Sequence, residues 1–371
     1  MPKESLETLI SELVHEEDWR RMRATAACLA GGPKAVEGLI HALEAGSSAL
    51  KIESAGMLAR VKDPHGGAPL VRLLSDEDSS VRKAGAIALE QMAGVLDTTA
   101  ATALVEYLPA CADKEQRQAI IHLLGVTPTA IHPLTAMLRH PEEAARMTAA
   151  DILEHLLDPR SADALVDAMT DPVLQAIAVR TLKKLSAIRE RIDGAFDALR
   201  NVEESSERED ARMSTIIDLL RIGRPSVEIL IGYLGDDDWV VREAAADLLG
   251  KIGDVRAVEP LMDRLRTDKD TGVKELAIKA LGLIGDARPV DLFVELIPIR
   301  PLRVFAVEAL AKVKDAERLR PYADLFERLQ TDRDGLISYN AGVIMNKLQA
   351  MAAQEEVAAH GTGHEDEDED E

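Results

Sequence analysis

Arg23, Lys51, Arg82, Arg117, Arg146, Arg212, Arg242, Lys274 and Arg303 recur at intervals near 30 residues, with Gln175 and Ser338 in the same series. Cations spaced in this way could form a stripe for an anionic ligand. They could equally pair with the acidic turns at Asp76–Asp78, Glu142–Glu143, Asp171, Asp236–Asp238 and Asp268–Asp270. A second row follows nine residues later: Arg60, His155, Lys184, Arg221, Lys251, Lys312 and Lys347. These are expected in the last turns of helices, where positive charge offsets the helix dipole. His41, His65, His132 and His140 are scattered without ligand spacing, and no CxxC, nucleophile elbow or Gly-rich phosphate loop occurs. No cofactor, metal site or catalytic residue is expected from these patterns. Cys28 and Cys111, far apart within helical patterns, suggest no disulfide framework and suit a reducing cytoplasm.

The elements that carry these residues are helices. Ala and Leu supply most of the apolar content, aromatics only 3%, which favours helix over sheet. The clearest copies run Val241-Arg-Glu-Ala-Ala-Ala-Asp-Leu-Leu-Gly-Lys-Ile-Gly-Asp254, Val273 to Asp286 and Leu302 to Asp315. Each period holds two helical patterns, for example Ala257–Leu265 and then Val273 onward. The second helix has small residues where it must approach its neighbour: Ala26, Ser54, Gly85, Ala149, Ala245, Ala277 and Ala306. Acid-rich turns ahead of it should cap its orphan N–H groups, and Gly253-Asp254 and Gly285-Asp286 should end it.

The pattern of an acidic turn, Val-Arg-x-x-Ala-x-x-x-Leu-Gly-x-Ile-Gly-Asp and Arg/Lys-Ala-Val-x-x-Leu resembles HEAT repeats, specifically their short phycobilisome-lyase-like subgroup, over about residues 17–350. The resemblance implies an all-α protein, an α-solenoid of about eleven helical hairpins stabilised by stacking neighbours. In such stacks the recurring base pairs with the acidic turn of an adjacent repeat, so a ladder is favoured over a ligand stripe. Residues 1–16 read as an N-terminal capping helix, 17–352 as the solenoid and 353–371 as a disordered acidic tail. The widest interval, between Gln175 and Arg212, contains Asn201–Asp210, read as a charged loop or helix extension joining six repeats to five. Deoxyhypusine hydroxylase, which resembles this chain in architecture, needs His-Glu pairs in several repeats. Here they occur only at His15-Glu16 and His364-Glu365, while Arg242-Glu243 and Lys274-Glu275 occupy the repeat positions.

In these solenoids the second helix lines the concave side, and positions one and five after the base should face outward. Ile52, Ile87, His122, Met147, Met213 and Ile217 stand there, whereas the C-terminal repeats place Glu243, Asp247, Glu275, Lys279 and Glu308, with Val304 the exception. Three readings remain open: a groove for a partner helix or peptide, a repeat frame wrong by one residue, or closer packing between repeats. The expected function is a non-catalytic, monomeric, cytoplasmic scaffold binding a protein segment on that face. The alternative is a lyase-type or modifying protein, bilin-lyase-like or deoxyhypusine-hydroxylase-like. A formal net charge of −22 disfavours nucleic acid and anionic membranes, and neither a membrane span nor a secretory signal is read. The tail Glu365–Glu371 reads as solubilising, the other options being folding back on a basic patch, engaging a cationic partner or binding divalent metal.

Overall fold

The computed structural model describes residues 6–111, 113–202 and 205–360 of the chain. The described residues form helices and short 3-10 turns, with no strand among them. The chain divides into two compact units: residues 1–155 with 167–178 and 353–371, and residues 156–166 with 179–352. The first unit contains α1 (Leu6–Ser11), α2 (Asp18–Ala30), α3 (Gly32–Ala45), α4 (Ser48–Val61), α5 (Gly67–Leu73), α6 (Ser79–Gln91), α7 (Thr98–Tyr107), α8 (Lys114–Val126), α9 (Ile131–Met137) and most of α10 (Glu143–Leu156). The helices α11 (Ala162–Ala168) and α12 (Gln175–Arg200) carry residues of both. The second unit continues with α13 (Ser205–Leu220), α14 (Val227–Tyr233), α15 (Trp239–Ile252), α16 (Val258–Thr267), α17 (Thr271–Ile284), α18 (Val290–Leu296), α19 (Arg303–Lys312), α20 (Ala323–Leu329) and most of α21 (Gly335–His360). Helices α2, α4, α6, α8, α10, α12, α13, α15, α17, α19 and α21 are the second helices of hairpins, so the fold is the all-α solenoid expected. Of residues 1–16, read as a capping helix, Leu6–Ser11 form α1 and Glu12–Val14 a 3-10 turn, and residues 1–5 lie outside the described residues. Of residues 353–371, the last helix takes in those to His360, and 361–371, with the acidic run and His364-Glu365, lie outside the described residues.

Helix α12 departs from the hairpin rhythm. It runs 26 residues without a break, about 39 Å at 1.5 Å per residue. Between Lys184 and Arg191 the chain offers Leu, Ser, Ala, Ile, Arg and Glu, with no Pro or Gly to stop a helix. Of the stretch read as a charged loop or extension, Ser205–Asp210 opens α13.

Elsewhere local chemistry sets the ends. Asp78, Asp113, Asp238 and Asp270 each accept a hydrogen bond from a backbone N–H of the helix that follows, which satisfies donors the helix leaves orphaned. Gly253 and Gly285 end α15 and α17 at φ +73° and +71°, a left-handed turn that a side chain resists. The aspartates after them do a second task. Asp254 and Asp286 accept from the N–H two residues on and hold the side chains of Arg256 and Arg288, as Asp158 holds Arg160. Arg256 also reaches Glu228 and Asp158, tying three segments of the second unit together.

Packing in the second unit depends on close helix approach. Ala245, Ala277 and Ala306 are wholly buried. A methyl group added to Gly250 would lie 2.5 Å from Ala280 Cα, and one on Gly282 would lie 3.0 Å from Ala309 Cα. The glycine of each Leu-Gly-x-Ile-Gly-Asp run thus lets α15 meet α17, and α17 meet α19, backbone against backbone. Phe293 and Phe326, both fully buried, fill space on the first-helix side.

Candidate interaction face of the second helices

The recurring bases are held by two kinds of acceptor. Arg82, Arg146 and Arg242 donate to the carbonyls five and six residues back, at 2.7–3.0 Å. Lys51, Arg146 and Arg242 also pair with Asp76, Asp171 and Asp268 of the following turn at 2.7, 2.8 and 2.8 Å, and Arg303 pairs with Asp332. Where these contacts form, the ladder is present. Arg117 departs from it, donating to the Leu108 carbonyl and to Thr148 Oγ1.

The carbonyl contacts correct the repeat frame at two helices. In α2 the residue that reaches back to His15 and Glu16 is Arg21, whereas Arg23 pairs with Glu12. In α13 the residue that reaches back six positions, to Val202, is Arg208, which also faces Asp238 at 3.5 Å. Arg212 is buried instead among Glu209 at 2.6 Å, Asp247 at 3.5 Å and Glu243 at 4.0 Å. The frame was therefore off by two residues in α2 and four in α13.

The second basic row is used as expected at several helices and not at others. Lys251 and Lys312 lie in last turns and pair with Asp247 and Glu308 one turn back. Lys347 lies within α21 and donates to the carbonyls of Ala311 and Val313, at the end of α19; burial lowers its pKa. Lys184 lies in the middle of α12 because that helix does not end there.

Of the candidate contact residues in the first unit, Ile87 is 56% exposed, His122 is exposed, and Ile52 and Met147 are half-buried. In the second unit Met213 and Ile217, 40% and 58% exposed, stand one turn apart on α13. The sequence reading missed Leu220, which continues that stripe, and Met22 and Leu29 on α2, all exposed. It also missed Leu283, exposed on α17 where neighbouring repeats have Lys251 and Lys312. A leucine in a row of lysines was the available signal. Across the rest of this face acids dominate: Glu243 and Asp247 on α15, Glu275 on α17 and Glu308 on α19. Burial, assisted by Asp270, Glu209 and Glu275 and opposed by Arg212, pushes the Glu243 carboxyl up to about 7. Gly272 leaves it room, since a methyl group there would meet Glu243 Oε1 at 2.1 Å.

Among the described residues no three His, Cys, Asp or Glu side chains come together as metal ligands. His15 Nδ1 instead accepts from the Glu17 backbone N–H. A cleft of about 240 Å³ lined by Glu7, Ile10, His41 and Leu50 falls below the usual size of small-molecule sites. No single described helix is long and apolar enough to cross a membrane.

A family model for HEAT repeats matches residues 36–125, 101–183, 196–282 and 259–342. No curated protein matches the chain in sequence. Among solved structures, the chain is similar to an engineered protein (19% identity, 93% of this chain, 98% of that one, TM-score 0.33). It is also similar to a chain of the CpcE–CpcF complex of phycocyanin lyase from Nostoc sp. PCC7120 (20%, 83%, 94%, 0.28). A third is Kap121p (14%, 96%, 42%, 0.33). With four matches, in two overlapping pairs, that take in most of its length, the chain belongs to the HEAT-repeat family.

Proposed function

We propose that this protein is a non-catalytic interaction scaffold that binds a protein segment along the face of its second helices. One observation carries the reading. Helix α13 exposes Met213, Ile217 and Leu220 at helical spacing, whereas α15 and α19 place paired charges on their exposed turns. Exposed apolar residues grouped on one stripe mark contact surfaces far more often than single ones do. The basic ladder supports it from the other side: its cations are engaged by carbonyls and aspartates, so an anionic ligand finds few free partners. The net charge of −22 also disfavours nucleic acid. Cys28 and Cys111 are both buried and free, which supports a cytoplasmic setting.

The test uses the most exposed candidate contact residue of each unit, Ile87 and Ile217. Changing either to Glu should leave the helical circular dichroism intact. It should also remove proteins that the parent chain captures reproducibly from its native cell extract. Unchanged capture by both variants would remove this reading. Met147 is unsuited to the experiment because it is half-buried, and a carboxylate there would disturb packing as well as contact.

A further inference from the structure

We propose, resting on the scaffold reading, that the face formed by α13, α15 and α17 takes a cationic amphipathic helix of a partner protein. The apolar half of the argument is the stripe itself. Met213, Ile217 and Leu220 lie at i, i+4 and i+7, and Ile216 and Leu219 beside them are 2% and 1% exposed. The helix has thus filled its core face and still presents a second apolar line. That line matches the anchor spacing of a helix laid in a groove.

The charged half selects the partner. Around the stripe α13 bears Glu209, Asp210 and Asp218, α15 bears Glu243 and Asp247, and α17 bears Glu275. The cations nearby are already committed. Arg212 is held by Glu209 and faces Asp247, Lys251 pairs with Asp247, and Lys279 lies 4.5 Å over the Phe305 ring. With Arg221 just past the end of α13 and Arg191 donating to the Asp218 carbonyl, the face keeps a modest acidic excess, carried by Asp210, Glu243 and Glu275. Glu243 sharpens the point, because its carboxylate has lost hydration and faces Arg212 only at 4.0 Å. A lysine or arginine supplied by a partner would restore what burial took away. Complementary charge of this kind steers encounter and rejects acidic competitors. Three helices side by side at 8–10 Å give a width of about 20 Å, enough for one helix of 10–12 Å diameter.

The experiment uses the full chain and three fluorescent peptides of about 18 residues with one leucine stripe at helical spacing. Their polar positions are Lys, Gln or Glu, and binding is read by anisotropy at two salt concentrations. The Lys peptide should bind and weaken with salt. Ile217→Ser should weaken it at least fivefold, and Glu243→Gln with Glu275→Gln about tenfold while flattening the salt dependence. If the Gln or Glu peptide binds as tightly with the same dependence on Ile217, the cationic partner is wrong and the scaffold face stands. If no peptide binds, or Ile217→Ser changes nothing, both fall. Sedimentation of the chain alone adds one more outcome. Self-association abolished by Ile217→Ser would give the face to a second copy and overturn the proposal.

Discussion

Gly250 and Gly194 are both helical glycines of the second unit, and alanine should have opposite effects at the two. Alanine is favoured over glycine in a helix interior by about 1 kcal/mol. At Gly194, in α12, an added methyl meets nothing within 4 Å, so the gain should appear almost whole. At Gly250 the methyl would sit 2.5 Å from Ala280 Cα and 2.7 Å from Ala280 Cβ. Carbon atoms prefer about 3.5–4.0 Å, so α15 and α17 would have to part by about 1 Å. Such overpacking costs roughly 1–3 kcal/mol. Subtracting the helical gain leaves Gly250→Ala destabilised by up to about 2 kcal/mol, and separates the two variants by about 1–3 kcal/mol. Urea unfolding measures this directly. Trp19 and Trp239 are the two tryptophans, one in each unit, so a Trp19→Phe background makes Trp239 fluorescence report on the unit that contains both glycines. If Gly250→Ala proves as stable as Gly194→Ala, backbone-to-backbone contact between α15 and α17 is not what holds this unit together.

Three further outcomes are expected. Arg242→Met removes both the carbonyl contacts and the pair with Asp268, whose side chain is 2% exposed; because Arg264 and the Asp270 N–H still face that carboxylate, the loss should be about 2–3 kcal/mol. An unchanged urea midpoint would contradict that. Asp238→Ala strips the cap of α15 and should cost about 1 kcal/mol, with Asp238→Ser recovering most of it in a thermal melt; equal melts for the two variants would remove the capping argument. Glu243 should make stability fall as pH rises from 4.5 to about 7, because the folded chain holds a proton that the unfolded chain has released. Glu243→Gln should therefore raise the urea midpoint at pH 8 and leave it unchanged at pH 4, and a gain equal at both would refute the assignment. Asp254 and Asp268 run the other way. Their pairing with Arg256 and Arg242 lowers their pKa despite burial, so what they contribute is present above pH 3.8 and is lost as the pH falls below it.

The hairpin rhythm was legible because three copies of one run repeat the same choices: Arg for the turn, Ala and Gly for close approach, and Gly-Asp for the stop. The capping acids were legible for the same reason, since their role is local. The frame failed where arginines crowd together. Trp19-Arg-Arg-Met-Arg23 offers three candidates, and α13 offers Arg208 and Arg212. Which of them reaches the preceding turn depends on where the chain enters the helix, a fact of three-dimensional geometry. The continuous α12 was hidden by expecting a stop near Lys184, although no Pro or Gly between Lys183 and Arg191 supplies one. Exposure was read well at Ile87, Met213 and Ile217. It was read less well at Ile52 and Met147, half-buried residues whose coverage depends on how tightly neighbouring repeats approach.

The link from Arg242 to Asp268 has a direction: wherever the ladder forms, a repeat supplies a donor to the next turn and an acceptor to the previous base. Copying one period of about 30 residues, or excising one, therefore leaves no donor or acceptor stranded inside the array. Unequal recombination can lengthen or shorten such a chain without first breaking it. Each step alters the exposed face by about one helix spacing, 8–10 Å. Reach is thus a quantity that selection can adjust in whole increments, separately from the residues that choose what is held.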